Sequence, residues 1–275
     1  MESFFSFLEK RVDDCSSLLC VGLDPHVSDL PKPTPAAALD FCLHLVEQTA
    51  PYAAAFKPNA AFFEVFGSRG WSALKKLIHT ISTSSYNRGS RIPVILDAKR
   101  GDIASTAEAY AESAFKKLGA NAITLNPYLG KDSIDPFLGN QERGVFLLCK
   151  TSNPGAGDLQ DLRLENGMMV HEQVARMAQQ WNAKNNIGLV VGATQPEALA
   201  RVRAAAPDLW FLAPGVGAQG GDLESALKAG LRKDGKGMLI NVSRGISQAK
   251  NPRLAAAEFR DQMLEIRTLM YRQGK

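Results

Sequence analysis

The sequence predicts a closed (β/α)8 TIM barrel, a single domain over residues 1–275 with an N-terminal helix. Three observations carry that prediction. Short apolar runs of the kind buried on both faces alternate with amphipathic stretches of helical period, the pattern of a parallel sheet wrapped by helices. The runs number eight, each read as followed by a helix. The length, 275 residues, is close to the roughly 250 typical of an eightfold barrel.

Taken in order, Met1–Lys10 is amphipathic with acids among its apolar residues, which fits a helix and not a secretory apolar segment. Leu18–Asp24 is the first strand, followed by a loop with Pro25, Pro31, Pro33 and Pro35 and a helix over 36–49. Ala53–Asn59 is the second strand, with helical patterns over 62–66 and 71–81. The third run, Val94–Ile103, begins apolar and β-branched and ends in Asp97, Lys99, Arg100 and Asp102; its helix spans 106–118. Ala122–Asn126, Gly144–Lys150, Ile187–Gly192, Leu209–Pro214 and Met238–Val242 complete the strands. Helical periods fall at 168–181, 196–205, 223–229 and 254–271.

An open doubly wound sheet is the structural rival. Gly215-Val216-Gly217-Ala218-Gln219-Gly220 satisfies G-x-G-x-x-G directly after a strand, but late in the chain and without an acid-ended strand about 20 residues on to hold a ribose. In a barrel the same glycines lie after strand seven and Ser243-Arg244-Gly245-Ile246 after strand eight, where barrels commonly build a phosphate site.

Composition narrows the function classes. The net charge of +4 is spread along the chain, so neither a nucleic-acid footprint nor a polybasic membrane patch is indicated, while a small anionic substrate fits. Cys15, Cys20, Cys42 and Cys149 have neither metal-ligand spacing nor disulfide-scaffold density. No apolar stretch approaches the length needed to cross a bilayer. The reading is a cytoplasmic protein without a metal site.

In a barrel the residues that end each strand converge on one mouth. Here they are Asp24, Lys57, Asp97 with Lys99, Asn126, Ser152, the Gly215–Gln219 loop and Arg244. On an extended strand Asp97 and Lys99 share a face, and Gly101 lets the backbone turn and bring Asp102 back to them. Each residue also has a plainer reading. Lys57 suits a solvated loop end, Asn126 an Asx turn before Pro127, Ser152 a turn before Asn153-Pro154-Gly155, and Asp102 a helix cap. The zinc-protease, nucleophile-elbow and Walker patterns do not occur, and His26, His44, His79 and His171 are scattered.

The segment Asp97-Ala98-Lys99-Arg100-Gly101-Asp102-Ile103 with Thr106 resembles the D-x-K-x-x-D-I-x-x-T signature of the orotidine 5'-phosphate decarboxylase family. The resemblance extends over nearly the whole chain and is closest to the longer bacterial branch, through Lys57-Pro58-Asn59 and Thr151-Ser152-Asn153-Pro154-Gly155. It implies cofactor-free decarboxylation of orotidine 5'-monophosphate to uridine 5'-monophosphate. By that resemblance Lys99 protonates C6, and Lys57, Asp97 and Asp102 complete an alternating charge network. Asp102 and Thr106 would enter the partner's site in an obligate homodimer. Asp24 would bind the ribose, Ser152 the pyrimidine, and Gln219 and Arg244, with Gly217 and Gly245, the phosphate. Arg100, Asn126 and Lys150 match no assignable role.

The chemistry suits these residue types. Losing CO2 from a ring carbon leaves a carbanion with little resonance relief, so a preorganised cation beside that carbon is the most direct help. Three other readings remain: a metal-dependent phosphosugar relative using Asp97 and Asp102, a Schiff-base lyase using Lys57 or Lys99, and a nucleotide-binding protein keeping only the phosphate grip.

Overall fold

The structure is a computed structural model that describes residues 2–83, 90–216 and 221–273. Its eight strands are β1 (Leu19–Leu23), β2 (Ala55–Pro58), β3 (Ile95–Arg100), β4 (Ala122–Leu125), β5 (Gly144–Lys150), β6 (Ile187–Val191), β7 (Trp210–Pro214) and β8 (Met238–Val242). Every pairing is parallel, in the order β2-β1-β8-β7-β6-β5-β4-β3. Bridges Phe56↔Val94 and Asn59↔Asp97, with the Phe56 N–H donating to the Pro93 carbonyl at 2.9 Å, join β2 to β3 and close the ring. This is the (β/α)8 TIM barrel that the alternating pattern predicts.

The strands form where apolar runs can be buried on both sides, and β1, β2, β4, β6 and β8 are buried at every position. The N-terminal helix, Phe4–Cys15, runs further than Lys10 because its apolar stripe continues from Phe4, Phe5 and Leu8 through Val12 to Cys15. Ser3 caps its start, accepting the Ser6 N–H at 3.2 Å. It lies across the amino ends of the strands. Phe5 packs edge-on to Phe146 at 5.5 Å and stacked with Trp210 at 6.2 Å. Gly144, where β5 begins, leaves room for Phe4, since a Cβ there would stand 2.2 Å from its ring. Arg11 fixes the helix by donating to the carbonyls of Ala50 and Ala53 at 2.7 and 3.0 Å.

One regularity expected from the pattern is broken. β4 is followed not by a helix but by three 3-10 turns, Pro127–Leu129, Lys131–Ser133 and Asp135–Phe137. Pro127, Gly130 at φ 90° and Pro136 interrupt any longer helix there. The helix after β3 also differs: Ala104–Glu112 is α-helical and Ser113–Lys117 widens into a π turn. Among the described residues no helix is long and apolar enough to cross a membrane.

Candidate active site

The carboxyl ends of β2, β3 and β4 build a compact ionic line. Lys57 of β2 is buried and its Nζ donates to Asp97 Oδ2 at 2.9 Å; Lys99 Nζ donates to Asp97 Oδ1 at 2.6 Å. The order is cation, anion, cation. Burial alone would lower the pKa of Lys57, but the negative charges of Asp97 and Asp24 outweigh it and hold the ammonium above its usual range. Burial would raise Asp97, and the ammonium groups of Lys57 and Lys99 reverse that and hold the carboxylate well below its usual range. Both partners of the buried pair are therefore charged at neutral pH.

Thr124, inside β4, organises this geometry. Its hydroxyl donates to Asp97 Oδ1 at 3.0 Å and accepts the backbone N–H groups of Ala98 and Lys99 at 3.0 and 2.9 Å. Those bonds sit where the β3–β4 register shifts between Leu96 and Arg100. Lys99 there takes φ 46°, a left-handed conformation that a β-strand lysine adopts only under external constraint. The sequence reading passed over Thr124. The sequence shows only a lone hydroxyl in the apolar run Ala122-Ile123-Thr124-Leu125, which does not by itself mark a functional residue.

Asp102 does not join the line within the chain, contrary to the expected turn at Gly101. Its Oδ1 accepts the Ile103 N–H at 2.8 Å, and among the described residues it forms no ion pair with Lys57 or Lys99. The reason is local. The backbone stays bonded to β4 past Lys99, with Asn126 N–H donating to the Arg100 carbonyl at 2.8 Å, and Gly101 lies against Asn126. Thr106 is exposed on the helix that follows. The Lys99 side chain is itself 49% exposed, not enclosed, because its left-handed turn carries it to the rim.

Around the line stand the other strand-end residues. Asp24, after β1, has a buried Oδ1 with no hydrogen-bond partner among the described residues. Asn241, on β8 and in register with Cys20, has a second such oxygen. Asn126 behaves as its Asx reading predicts, accepting the Tyr128 N–H at 3.0 Å. Arg100 pairs with Glu64 and lies over the Tyr110 ring. Ser152 is half-buried after β5, packed so close to Gly192 that a Cβ on that glycine would stand 3.0 Å from the serine's own. Arg244 is exposed at the start of a single helical turn, Arg244–Ser247, after β8, where a Cβ on Gly245 would meet Val242 at 3.0 Å. Gly217 and Gln219 lie outside the described residues.

A model described as "Orotidine 5'-phosphate decarboxylase / HUMPS family" matches residues 17–259. The chain belongs to that family. The orotidine 5'-phosphate decarboxylase of Roseiflexus castenholzii (strain DSM 13941 / HLO8) is 49% identical over 270 residues, covering 94% of this chain and 96% of its own. Of solved structures, the Leishmania donovani OMP decarboxylase is 54% identical with a TM-score of 0.88, covering 97% of this chain and 99% of that one. The Leishmania donovani UMP synthase is 56% identical with a TM-score of 0.89 over 97% of this chain, which spans only 57% of that longer protein. In this chain the ionic line of β2 and β3, braced by Thr124 of β4, stands at the mouth of the barrel.

Proposed function

We propose that the chain decarboxylates orotidine 5'-monophosphate to uridine 5'-monophosphate in pyrimidine nucleotide synthesis, without a cofactor. The observation that carries this reading is the Lys57–Asp97–Lys99 line at the barrel mouth of a chain from this family. Lys99 places an ammonium where carbanion character develops at C6 and gives its proton to that carbon as CO2 departs. Asp97 holds both lysines in place and sets its negative charge beside the departing carboxylate. Lys57 fixes Asp97 from behind.

The remaining roles follow the resemblance. The unpartnered oxygen of Asp24 suits a ribose hydroxyl, which would supply the missing donor. Ser152 holds the pyrimidine. Arg244 and Gln219, with the backbone at Gly217 and Gly245, hold the phosphate, so that binding energy far from the reacting carbon is used to align the ring.

We further infer a cytoplasmic homodimer in which Asp102 and Thr106 complete the partner's site. Ile103 is 52% exposed and Tyr128 77% exposed, and the two emerge from the adjoining ends of β3 and β4 beside Asp102. An apolar surface next to a carboxylate that its own chain leaves out of the ionic line is suited to a second copy. Against the metal-dependent alternative stands the saturation of Asp97, both of whose oxygens accept from cations or a hydroxyl. Two ammonium groups at that carboxylate repel a divalent ion.

The test is the ultraviolet absorbance of orotidine 5'-monophosphate mixed with EDTA-treated protein, since loss of the ring carboxylate changes the chromophore. Conversion to uridine 5'-monophosphate is expected; no conversion by folded protein, with activity on pentulose or hexulose phosphates after adding magnesium, would replace this reading with the phosphosugar one. Subunit sharing has its own test. Mixed Lys99→Ala and Asp102→Ala proteins are expected to regain activity as heterodimers, and no recovery after confirmed subunit exchange would remove it.

A further inference from the structure

The excursion after β5, residues 151–169, is tied back to the barrel by a set of side chains that no step above uses. Lys150, the last residue of β5, is 2% exposed, and its Nζ donates to Asp161 Oδ2 at 2.7 Å. The hydrogen bond from Lys150 lowers the pKa of Asp161, a group otherwise open to solvent. Asp161 Oδ1 lies 3.3 Å from His171 Nδ1, and that same nitrogen faces the Gln160 carbonyl at 2.8 Å. A carbonyl only accepts, so Nδ1 carries a proton. The Gln160 side chain closes the loop on itself: its Oε1 accepts the Thr151 N–H at 2.8 Å and its Nε2 donates to the Thr151 hydroxyl at 2.9 Å. Cys149 Sγ, one residue before Lys150, donates to the His171 carbonyl at 3.1 Å.

Three of these contacts end on the two residues before Ser152, and the others fix Asp161 and Gln160 through His171. Thr151 is gripped through its N–H and its hydroxyl, and Lys150 through its ammonium. A lysine with almost no solvent access is an expensive way to hold a loop, because desolvating the ammonium opposes folding unless its partner is well placed. A merely packed loop has no need of it. What the arrangement gives is a fixed position for the backbone at 150–152, against Gly192 on the other side.

We propose that Lys150, Asp161 and Gln160 are positioning residues that set Ser152 against the base of the bound nucleotide. The inference rests on the assignment of Ser152 to the pyrimidine. It makes a distinction that a general structural role does not: affinity for ligands with a base depends on the clamp, and affinity for ligands without one does not.

The experiment measures binding of uridine 5'-monophosphate and of ribose 5-phosphate to the full protein and to three variants. Lys150→Met removes the buried charge and keeps the stem. Gln160→Leu breaks the hold on Thr151 without leaving a buried ion. Ser152→Ala reports on the assignment itself. Losing a well-placed hydrogen bond to the base costs up to about 10-fold in affinity, so Lys150→Met and Gln160→Leu are expected to weaken uridine 5'-monophosphate by about 10-fold while ribose 5-phosphate stays within about two-fold. Equal weakening of both ligands, or of neither, with Ser152→Ala still selective for the nucleotide, would overturn the clamp and leave Ser152 in its role. An unselective Ser152→Ala would remove the assignment on which the clamp depends.

Discussion

The two ends of the barrel are built on opposite principles. At the amino ends of the strands the N-terminal helix closes the ring with Phe4 and Phe5 against Phe146 and Trp210, and polar groups there are tied to one another: Arg11 to backbone carbonyls, Trp210 Nε1 to Glu9, Arg232 to Glu9 and Asp234, Lys236 to Asp13. At the carboxyl ends the chain holds a lysine in a left-handed conformation, leaves it half exposed and keeps oxygens of Asp24 and Asn241 buried without partners among the described residues. One end is held mainly by its own packing and ion pairs, with Ser90 Oγ the exception among its buried polar atoms in the described residues. On the proposed function, the other is completed by the bound nucleotide.

The contrast is broken most severely by Asp97→Ala, which should damage both properties at once. Removing one partner of a buried pair leaves Lys57 uncompensated and costs about 3–5 kcal/mol, and turnover is expected to fall below about one-thousandth of wild type as Lys99 loses its anchor. Urea unfolding together with steady-state kinetics reads both; a stable variant would mean that Lys57 relaxes to solvent.

Phe5→Ala sharpens the contrast from the other end. Deleting a buried ring costs about 3–5 kcal/mol, yet kcat measured well below the unfolding transition is expected to stay within about two-fold of wild type. A large fall in kcat there would couple the N-terminal helix to the mouth.

Thr124→Val is smaller and separates the positioning of Lys99 from its chemistry. Losing the acceptor for two backbone N–H groups costs about 1–3 kcal/mol each if they stay dry, less where solvent at the rim replaces it. kcat is expected to drop about 10-fold with KM little changed, and Thr124→Ser to restore it.

The smallest expected effect is that of pH on the stability of the ionic line. Asp97 is depressed, so its contribution is fully present above the ordinary carboxylate pKa of about 3.9 and is lost only as pH falls through its lower folded value. Lys57 is raised, so its contribution is complete below about 10.4 and is lost as pH rises through its higher folded value. The stability difference between wild type and a Lys57→Met/Asp97→Leu double variant is therefore expected to stay level from about pH 5 to 9. A slope within that window would contradict the assigned charge states.

How much of this was legible beforehand follows the same division. The strands, and the start of the N-terminal helix, were readable because apolar period is a local property: β5 and β8 lie where the runs Gly144–Lys150 and Met238–Val242 put them. So were Lys57, Asp97 and Lys99, since each ends such a run and the barrel brings run ends together. The missing helix after β4 was also written locally, in Pro127, Gly130 and Pro136, but the eightfold pattern obscured it. Thr124 was not legible, because a threonine in a strand is commonplace until the neighbouring backbone is seen to turn left-handed against it. Nor was the Lys150–Asp161–His171 set, whose members are 11 and 10 residues apart and belong to a strand end, a loop and a helix that no sequence pattern links. Asp102 was expected to turn back to Lys99, and among the described residues it makes no ion pair there but accepts the Ile103 N–H, since spacing alone does not say how far a chain folds back after Gly101.

The most direct test of the central claim, that the ionic line performs the chemistry, is the turnover of orotidine 5'-monophosphate by Lys99→Ala at saturating substrate, beside its affinity for uridine 5'-monophosphate. The account predicts that turnover is nearly abolished, by about 10,000-fold or more, while nucleotide binding persists and the fold is intact. Substantial turnover by that variant would take the proton, and the stabilising charge, away from Lys99.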